Sequence, residues 1–361
     1  MAERITVKTQ ELKTLVIRIF ENVGLSSEDA EVTAEVLLCG DRRGIESHGV
    51  ARLKRYVDGI KNGIMKTSPD IKTIVETPVS LVIDGDGGMG QVVGHFAMQR
   101  CIQKAKENYM CFAAVRNSNH YGIAGYYALT ALTENLIGVS FTNSAPLVVP
   151  TYGKDAVLGT NPISFGFPTR NEKPYLLDMA TSTVPRGKLE VKARLNEPIP
   201  NTWATDSQGE PTTDAHLVLE NLLERKGGGL LPIGGAGEEN GGHKGFGLAA
   251  IVDIFTGVLS GGAVGTDVYG KKGKPAEVAH FFGAINPAAF LGEDALKDKM
   301  DYFINMLKTS HLADQESRIY VAGEKEYEKA QSHQEKLTLN PTVFETINEI
   351  GKEYGLELKA V

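Results

Sequence analysis

The hydrophobic pattern of this sequence changes character near Pro69, and that change limits the folds open to the chain. Before Pro69, apolar residues recur at the three- and four-residue spacing of amphipathic helices. After it, short apolar runs alternate with longer helical stretches, a pattern typical of an α/β core. We therefore predict a helical lobe at the N-terminus, followed by a layered α/β structure.

The predicted elements follow this division. Helices are predicted at 9–24, 26–42, 50–60, 91–106, 249–260, 295–308 and 341–354. Strands are predicted at 79–84, 111–115, 137–142 and 175–177. Gly24 is expected to end the first helix in the left-handed conformation. We divide the chain into an N-terminal helical lobe (1–75), an α/β core (76–310) and a C-terminal segment (311–361) that packs back on the N-terminal lobe.

Composition excludes several classes of partner. The 361 residues include 38 basic and 45 acidic side chains, and a formal charge of -7 argues against a broad basic surface for nucleic acid or anionic lipid. No apolar run approaches the length of a membrane span, and the N-terminus lacks a signal-peptide pattern. Three cysteines without a C-x-x-C pair are typical of a reducing compartment. We therefore expect a cytoplasmic protein with no membrane or nucleic-acid partner.

Three glycines after the first predicted core strand match a known cofactor motif. Gly85, Gly87 and Gly90 have the G-x-G-x-x-G spacing, and they stand between a strand and a helix as a dinucleotide fingerprint requires. However, the next strand ends in Arg116 and Asn117 instead of the acidic residue that would bind the ribose. Arg116 would suit a 2'-phosphate, but we prefer the interpretation that these glycines form an ordinary turn.

A second glycine-rich segment, 227–247, contains Lys244 in the string G-H-K-G. It lacks the G-K-[ST] ending of a P-loop. Backbone amides and one lysine at a helix start can hold a phosphate, and a plain surface loop explains the same letters, so both alternatives stay open. No histidine or cysteine spacing matches a zinc site, and no metal is expected.

Two histidines occur in polar surroundings that suit catalysis. On a helix beginning near residue 46, Ser47, His48, Arg52 and Tyr56 would share one face. A small 2-oxo or 2-hydroxy acid needs such a planar cation for its carboxylate and a titratable donor for its oxygen. The alternative, slightly preferred on these residues alone, is a capping serine and a solvated basic face. His120 lies in a polar loop after a strand, where ligands of α/β proteins gather, or it is a lone loop histidine.

Five sequence blocks occur together, in order, along nearly the whole chain. They are E-S-H-G-V-A-R-L at 46–53, N-S-N-H-Y-G-I-A-G at 117–125, G-T-N-P at 159–162, L-D-M-A-T-S at 177–182 and G-G-H-K-G-F-G at 241–247. In this combination the chain resembles the type 2 malate/L-lactate dehydrogenase family. The resemblance implies a homodimeric NAD(P)-dependent oxidoreductase of small 2-hydroxy and 2-oxo acids. It also implies a mixed-sheet, non-Rossmann α/β fold, in which the glycines at 85–90 are not a cofactor fingerprint.

The resemblance assigns roles to the matching positions. The positions matched to catalysis are His120, His48 and Ser47. Those matched to substrate binding are Arg52, which would hold the carboxylate, Tyr56 and Thr160. Those matched to the nicotinamide cofactor, NAD or NADP, are His120, Tyr121, Gly122, Ile123, Ala124, Asp178, Met179, Ala180, Lys244, Gly323 and Glu324.

The branches of the family differ over the proton-transferring histidine. His120 matches the proton donor and acceptor of the ureidoglycolate-oxidising branch, whereas Ser47 and His48 match the active-site pair of the imino-acid-reducing branch. We expect His120 to transfer the proton, because its loop also lines the cofactor. Two departures weaken the correspondence. Lys188 stands where the imino-acid reductases carry an aspartate that orients their histidine, and no proline precedes Gly323.

The resemblance also narrows the range of expected substrates. The strings at 117–127 and 159–162 are similar to the malate-oxidising branch, so we expect malate and oxaloacetate. Lactate, sulfolactate and ureidoglycolate are the alternatives within the family. An alternative of another class is a carboxylate or nucleotide sensor without turnover, against which the two histidines argue.

Overall fold

The computed structural model describes residues 4–270, 275–314 and 317–361. Its α-helices are α1 (Thr9–Asn22), α2 (Ser27–Arg42), α3 (Leu53–Lys61), α4 (Gly90–Asn108), α5 (Ala124–Leu132), α6 (Arg186–Arg194), α7 (Ala215–Glu224), α8 (Gly242–Asp253), α9 (Glu293–Lys308), α10 (Glu324–Ser332) and α11 (Pro341–Lys352). Its strands are β1 (Ile5–Lys8), β2 (Lys72–Glu76), β3 (Ser80–Asp84), β4 (Met110–Ser118), β5 (Ile137–Thr142), β6 (Ile163–Phe167), β7 (Tyr175–Met179), β8 (Ala204–Thr205), β9 (Gly229–Leu230), β10 (Val278–Ile285) and β11 (Lys336–Leu339).

The centre of the molecule is a seven-stranded mixed sheet. Its strand order is β2-β3-β4-β10-β5-β6-β7. Strands β3 and β4 are parallel, and the other neighbours are antiparallel. A doubly wound dinucleotide-binding sheet is mostly parallel, so the predicted mixed-sheet, non-Rossmann α/β class is confirmed.

The two faces of this sheet are covered by different helices. Helices α4 and α5 pack on one face through a buried cluster that includes Tyr127 and Phe282. On the other face, Phe141 and Phe281 pack against Val252 of α8. Helix α8 continues into a π-helical turn, Ile254–Val258. No helix in the part of the chain that the structure describes is long and apolar enough to cross a bilayer.

The two ends of the chain share one hydrophobic core. Strand β1 pairs with β11 in antiparallel register, from Ile5 opposite Leu339 to Lys8 opposite Lys336. Leu12 of α1 and Leu37 of α2 lie in the same buried cluster as Ile347 of α11. The C-terminal segment therefore covers apolar surface that the N-terminal helices cannot bury among themselves.

Several predicted elements form with local signals that explain them. Ser26 caps α2, since its hydroxyl accepts a hydrogen bond from the Asp29 backbone N–H at 3.1 Å. Gly24 follows α1 with φ +105°, as expected for a glycine that ends a helix. All three cysteines are buried and free.

Other predictions were wrong in their boundaries. The helix predicted at 50–60 begins at Leu53, because Glu46–His48 and Val50–Arg52 form two separate 3-10 turns. The helix predicted at 249–260 begins seven residues earlier, with α8. The division of the chain at residue 75 stays a prediction, and this residue lies in β2. Strand β10, in the middle of the sheet, was not predicted.

The glycines at 85–90 form the turn between β3 and α4. Gly87 has φ +70°, and a Cβ on Gly90 would lie 2.2 Å from the Asn119 carbonyl oxygen. Asn119 in turn donates to the carbonyls of Gly87 and Gly88, at 3.0 and 2.8 Å. This turn packs against the loop that carries His120, which accounts for the glycine spacing without a bound nucleotide.

Candidate active site

A cavity of about 420 Å³ lies between the N-terminal lobe and the sheet. The N-terminal lobe contributes the 3-10 turns before α3 and the first turns of α3 itself. The core contributes the loop after β4, the ends of β5 and β10, and the start of α6. The lining residues are Ser47, His48, Arg52, Arg55, His120, Tyr121, Gly122, Thr142, Asn143, Ser144, Ala145, Leu147, Thr160, Pro162, Pro185, Arg186, Gly187, Glu190, Tyr269 and Val278.

The loop that carries Ser47 and His48 is held by Asp41 of α2. The Asp41 carboxyl group accepts a hydrogen bond from the Val50 backbone N–H at 2.7 Å through Oδ2. A Cβ on Gly49 would lie 2.0 Å from the Asp41 Oδ1, so this close approach requires glycine. Burial raises the pKa of Asp41 to about 8, although the Val50 N–H opposes the shift. The two 3-10 turns therefore have a defined position relative to α2.

His48 and His120 stack against each other across the cavity. Their ring centres are 5.6 Å apart and the ring planes are inclined by 21°. Each Nδ1 faces a hydroxyl group: Ser47 Oγ is 2.9 Å from His48 Nδ1, and Tyr56 Oη is 2.6 Å from His120 Nδ1. Within the described residues, both Nε2 atoms lack a hydrogen-bond partner. Each ring thus keeps one nitrogen free for a ligand.

Both imidazoles are held in the neutral form. Burial lowers the pKa of His48 to about 4, with contributions from the positive charges of Arg52 and Arg55. The pKa of His120 is lowered well below its usual value, first by burial and then by Arg55. Burial raises the pKa of Tyr56 to about 12, so its phenol keeps its proton. At neutral pH the cavity therefore offers uncharged donors and acceptors beside the arginines.

The cavity contains three arginines in different environments. Arg52 donates through Nε to the Ser47 carbonyl at 2.7 Å, and among the described residues its terminal nitrogens have no partner. Arg55 donates to the Tyr269 hydroxyl at 2.7 Å. Arg186 forms an ion pair with Glu190 at 3.0 Å. The two terminal guanidinium nitrogens of Arg52 therefore form a free planar fork. This geometry can donate two parallel hydrogen bonds to one carboxylate.

A hydroxyl pair lies on the β6 side of the cavity. Ser144 Oγ accepts a hydrogen bond from the Thr160 backbone N–H at 3.0 Å and lies 3.3 Å from Thr160 Oγ1. Neighbouring Asn143 is used by the protein itself, because its side chain bonds Asp253, Ala263 and Ala279. This side of the cavity therefore offers uncharged hydroxyl groups to a ligand.

The predicted cofactor segments do not all reach this cavity. His120, Tyr121 and Gly122 line it. Asp178 lies next to their loop, since its carboxylate accepts from the Gly125 backbone N–H at 2.7 Å, and burial raises its pKa to about 6. The backbone at 322–324 packs beside β7, where Leu176 donates to the Ala322 carbonyl at 3.1 Å.

Two further predicted positions lie elsewhere. Glu324 is buried and paired with Lys308 at 3.1 Å. Lys244 is an exposed residue of the first turn of α8 and does not line the cavity. The choice between a phosphate site and a surface loop at 227–247 therefore stays open, and the cofactor residues stay predictions.

The residues present fit the nicotinamide end of a cofactor. A ring with a carboxamide needs neutral hydrogen-bonding groups and a water-poor wall, and the Ser144 and Thr160 hydroxyls with the 120–122 backbone supply both. A volume near 420 Å³ lies within the range of small-ligand sites. It has room for the reacting ring and a small acid, so the rest of a dinucleotide has to lie outside it.

Ser47, His48, Arg52 and Tyr56 do not share one face of a single helix, as the sequence predicted. His48 is not on α3, and Tyr56 lies behind His120 instead of beside His48. The capping-serine alternative is also wrong, because the Ser47 hydroxyl contacts the His48 ring and not a helix N–H. The structure nevertheless brings Ser47, His48 and Arg52 to one cavity with His120 and Thr160.

Some cavity residues were missed from sequence. Arg55, Arg186, Glu190, Ser144 and Tyr269 line the cavity but were not predicted to. No sequence signal separates Arg55 from the neighbouring Lys54, which is exposed and pairs with Asp58. Lys188 lies outside the cavity with its Nζ 5.6 Å from the centre of the Trp203 ring. The hydrogen-bond partner of His48 Nδ1 is the Ser47 hydroxyl.

Comparison with known proteins identifies the family. The model of the malate/L-lactate dehydrogenase family matches residues 7–348. This chain belongs to that family. A malate dehydrogenase from Pyrococcus abyssi is 46% identical over 98% of this chain and 96% of its own length. An L-sulfolactate dehydrogenase from Methanocaldococcus jannaschii is 37% identical over 98% of both chains.

Solved structures agree with this assignment to the malate/L-lactate dehydrogenase family. The crystal structure of malate dehydrogenase from Entamoeba histolytica superposes with a TM-score of 0.94 at 34% identity, over 99% of each chain. Cofactors appear in the names of two more distant relatives. They are a (2R)-3-sulfolactate dehydrogenase (NADP(+)) from Chromohalobacter salexigens, 32% identical over 79% of this chain and 82% of its own length, and a ureidoglycolate dehydrogenase (NAD(+)) from Escherichia coli O157:H7, 31% identical over 83% of this chain and 82% of its own. The predicted family and dehydrogenase class are confirmed.

Proposed function

We propose that this protein exchanges a hydride between NAD or NADP and a small 2-hydroxy or 2-oxo acid, with malate and oxaloacetate as the substrate pair. The observation that carries the proposal is the stacking of two neutral imidazoles beside the free guanidinium fork of Arg52 in one cavity. The fork suits the carboxylate, and an imidazole suits the oxygen on the adjacent carbon.

The chain's own residues supply position and a proton site. Arg52 binds the C1 carboxylate and thereby orients C2. His120 takes the hydroxyl proton at Nε2 during oxidation, or returns one to the keto oxygen during reduction. The nicotinamide, when bound, accepts or gives the hydride that no side chain can carry. Since a phenol hydroxyl both donates and accepts, Tyr56 stabilises either neutral tautomer of His120 through Nδ1.

The cavity charge favours a substrate with two negative groups. Arg52, Arg55 and Arg186 contribute three positive charges, and Glu190 contributes one negative charge that is paired with Arg186. With both histidines neutral, the excess is two positive charges. Oxaloacetate and malate carry two carboxylates and match this excess, whereas lactate and ureidoglycolate carry one.

Sulfolactate is the second candidate substrate. Its sulfonate and carboxylate also give two negative charges, so the same excess suits it. The 37% identical relative from Methanocaldococcus jannaschii bears this name. The 46% identical relative from Pyrococcus abyssi bears the name malate dehydrogenase, which places malate first.

A substrate panel tests the proposal. Purified protein is mixed with NADH or NADPH and with oxaloacetate, sulfopyruvate, pyruvate or oxalurate, and the loss of the reduced nicotinamide absorbance is followed. We expect the highest kcat/KM with oxaloacetate. A higher value with sulfopyruvate would move the assignment to the second candidate. No oxidation of either cofactor with any of these acids would reject the proposed reaction.

We also propose that the protein is a homodimer in the cytoplasm. Its three buried free thiols agree with a reducing compartment. The assembly proposal rests on the exposed apolar side of α8 and the π-helical turn, which includes Ile251, Ile254 and Val258. A face of this kind on a soluble protein marks an association surface.

A further inference from the structure

We infer that Arg55 binds the second anionic group of the substrate and so selects dicarboxylates over monocarboxylates. This inference rests on the proposed function and adds a specificity-determining residue to it. Arg55 lies one helical turn after Arg52 at the start of α3, and both residues line the cavity. Arg52 can bind only one carboxylate with its planar fork, which leaves the far carboxylate without a partner unless another cation faces it.

Of the other two arginines, Arg55 has the charge that is not neutralised. Arg186 pairs with Glu190 at 3.0 Å. The Arg55 partner is the neutral hydroxyl of Tyr269, at 2.7 Å, and within the described residues no carboxylate pairs with Arg55. A long arginine side chain that contacts a phenol keeps its full positive charge for a ligand. Arg55 is therefore the available second cation of the cavity.

Tyr269 fixes the guanidinium of Arg55 in place. The Arg55 Cζ lies 5.8 Å from the centre of the Tyr269 ring, in addition to the hydrogen bond to its hydroxyl. The backbone of Tyr269 is itself tied on both sides: Arg225 donates to its carbonyl, and its N–H donates to Ala276, each at 3.0 Å. An exposed arginine would otherwise sample many rotamers, so this support lowers the entropic cost of binding an anion.

Tyr269 adopts an uncommon backbone conformation in this position. Its φ is +57°, in the left-handed region that bulky residues rarely enter. The neighbouring Val268 is fully buried in a small cluster with Ala276 and Val278, and Val278 also lines the cavity. The local packing therefore holds the phenol toward Arg55.

The charges in the cavity also act on each other. The positive charge of Arg55 contributes to lowering the pKa of Arg52, after the larger effect of burial. Two guanidinium groups that line one cavity repel, and a dianion that contacts both relieves that repulsion. A monoanion leaves one of them uncompensated. The cavity can therefore distinguish substrates by whether they carry a second anionic group at the end far from C1.

The test compares two substrates in the wild type and three variants. Values of kcat/KM are measured for oxaloacetate and for pyruvate with the wild type, Arg55→Gln, Arg55→Lys and Arg52→Lys. We expect Arg55→Gln to lower kcat/KM at least 30-fold with oxaloacetate, and by a factor at least ten times smaller with pyruvate, because its effect on the histidines is common to both substrates. Arg55→Lys should recover part of the loss, because it keeps the charge without the fork. Arg52→Lys should lose at least tenfold with both substrates, since both have the C1 carboxylate.

Lys54→Gln is the matched control for charge. Lys54 precedes Arg55, is exposed, pairs with Asp58 and does not line the cavity. Lys54→Gln should change kcat/KM by less than twofold with either substrate. Equal losses with oxaloacetate and pyruvate in Arg55→Gln, or a loss below threefold with oxaloacetate, would overturn the inference while leaving the dehydrogenase assignment intact.

Binding separates this inference from the proposed reaction. Malate and lactate are titrated calorimetrically into the wild type and Arg55→Gln, which needs no turnover. The dissociation constant of malate should rise at least 30-fold in the variant, and that of lactate should stay within threefold. If the wild type oxidises no cofactor, this titration alone decides the role of Arg55. An unchanged malate affinity would reject it.

Discussion

His120 and His48 differ in what surrounds their Nδ1 atoms. The partner of His120 is the buried phenol of Tyr56, whereas the partner of His48 is the exposed Ser47. A buried partner keeps its geometry when ligand enters, and an exposed one exchanges with water. His120 is also followed directly by Tyr121 and Gly122, which line the cavity. These differences favour His120 as the proton-transferring group.

We predict that His120→Ala lowers kcat by about 100-fold or more, the range for lost acid/base catalysis. His48→Ala should raise KM more than it lowers kcat, because His48 stacks on His120 and lines the cavity. The control is His216→Ala, at an exposed histidine that bonds Asn196 and does not line the cavity. A larger kcat loss in His48→Ala, with His120→Ala still active, would transfer the proton role to Ser47 and His48.

The two 3-10 turns before α3 are the element that sequence reasoning described least well. The i+4 spacing of His48, Arg52 and Tyr56 predicted one continuous helix, and it is wrong because Asp41 captures the Val50 N–H. That contact comes from nine residues earlier, on another helix, so local spacing carries no sign of it. The residues still reach one site, since a 3-10 turn also returns the chain to the same side after a few residues.

Ionisation of Asp41 makes the stability of the folded protein depend on pH. Its pKa is raised to about 8 by burial, so the folded protein holds a proton that the unfolded chain releases near pH 4. Stability from the protonated form is then lost as pH rises from about 4 to about 8. Asp41→Asn keeps an acceptor for Val50 and cannot ionise. We predict that it gains stability relative to wild type by about 1 kcal/mol per pH unit across this window.

Urea unfolding at pH 5, 6, 7 and 8 measures this difference. Asp41→Ala is the control, because it removes the acceptor for the Val50 N–H at every pH and should be less stable than Asp41→Asn throughout. Parallel stability curves for the wild type and Asp41→Asn would mean that Asp41 is ionised in the folded protein.

A second prediction concerns Gly87, in the glycine turn before α4. Gly87 has φ +70° and open space around an added Cβ, so alanine fits but enters an unfavourable backbone conformation. We predict that Gly87→Ala lowers the free energy of unfolding by about 1–2 kcal/mol and leaves cofactor affinity unchanged. Calorimetric titration with NADH and NADPH checks the second part. Lost cofactor affinity in a well-folded variant would restore the dinucleotide-fingerprint interpretation.

The sheet shows what kind of element can be predicted from one sequence. Strand β5 was predicted with its exact bounds, because its apolar run is isolated between polar segments. Strand β10 pairs with both β4 and β5, yet it lies about 140 residues beyond β5 in sequence. Its position depends on long-range pairing, which hydrophobic periodicity does not encode. The family resemblance supplied the mixed-sheet class that periodicity alone left open.

At the scale of the whole molecule, the cavity depends on how the two ends of the chain assemble. The strand pair β1–β11 and the packing of α11 complete the lobe that carries Arg52 and Arg55. The apolar stripes of this lobe are therefore buried within one chain. The C-terminal segment covers them.

The exposed apolar side of α8 and its π-helical turn is the feature that supports a dimer. Its exposed residues are Leu248, Ile251, Ile254, Phe255, Val258 and Leu259. The opposite side of the same segment packs on the sheet through Val252. A helix that is apolar all round is normally buried on all sides. A second copy of the chain on this face would complete that burial and form a closed two-fold assembly.

We predict that Val258→Asp separates the dimer into monomers, because it places a charge in this apolar face. Val258 is 60% exposed and contributes little to the core of one chain. Sedimentation equilibrium at micromolar concentration should give twice the mass of one chain for the wild type and the mass of one chain for the variant. Leu223→Asp is the control, since Leu223 is 76% exposed on α7, away from this face, and should leave the dimer intact. A single-chain mass for the wild type would contradict dimerisation, and an intact dimer in Val258→Asp would place the interface on another surface.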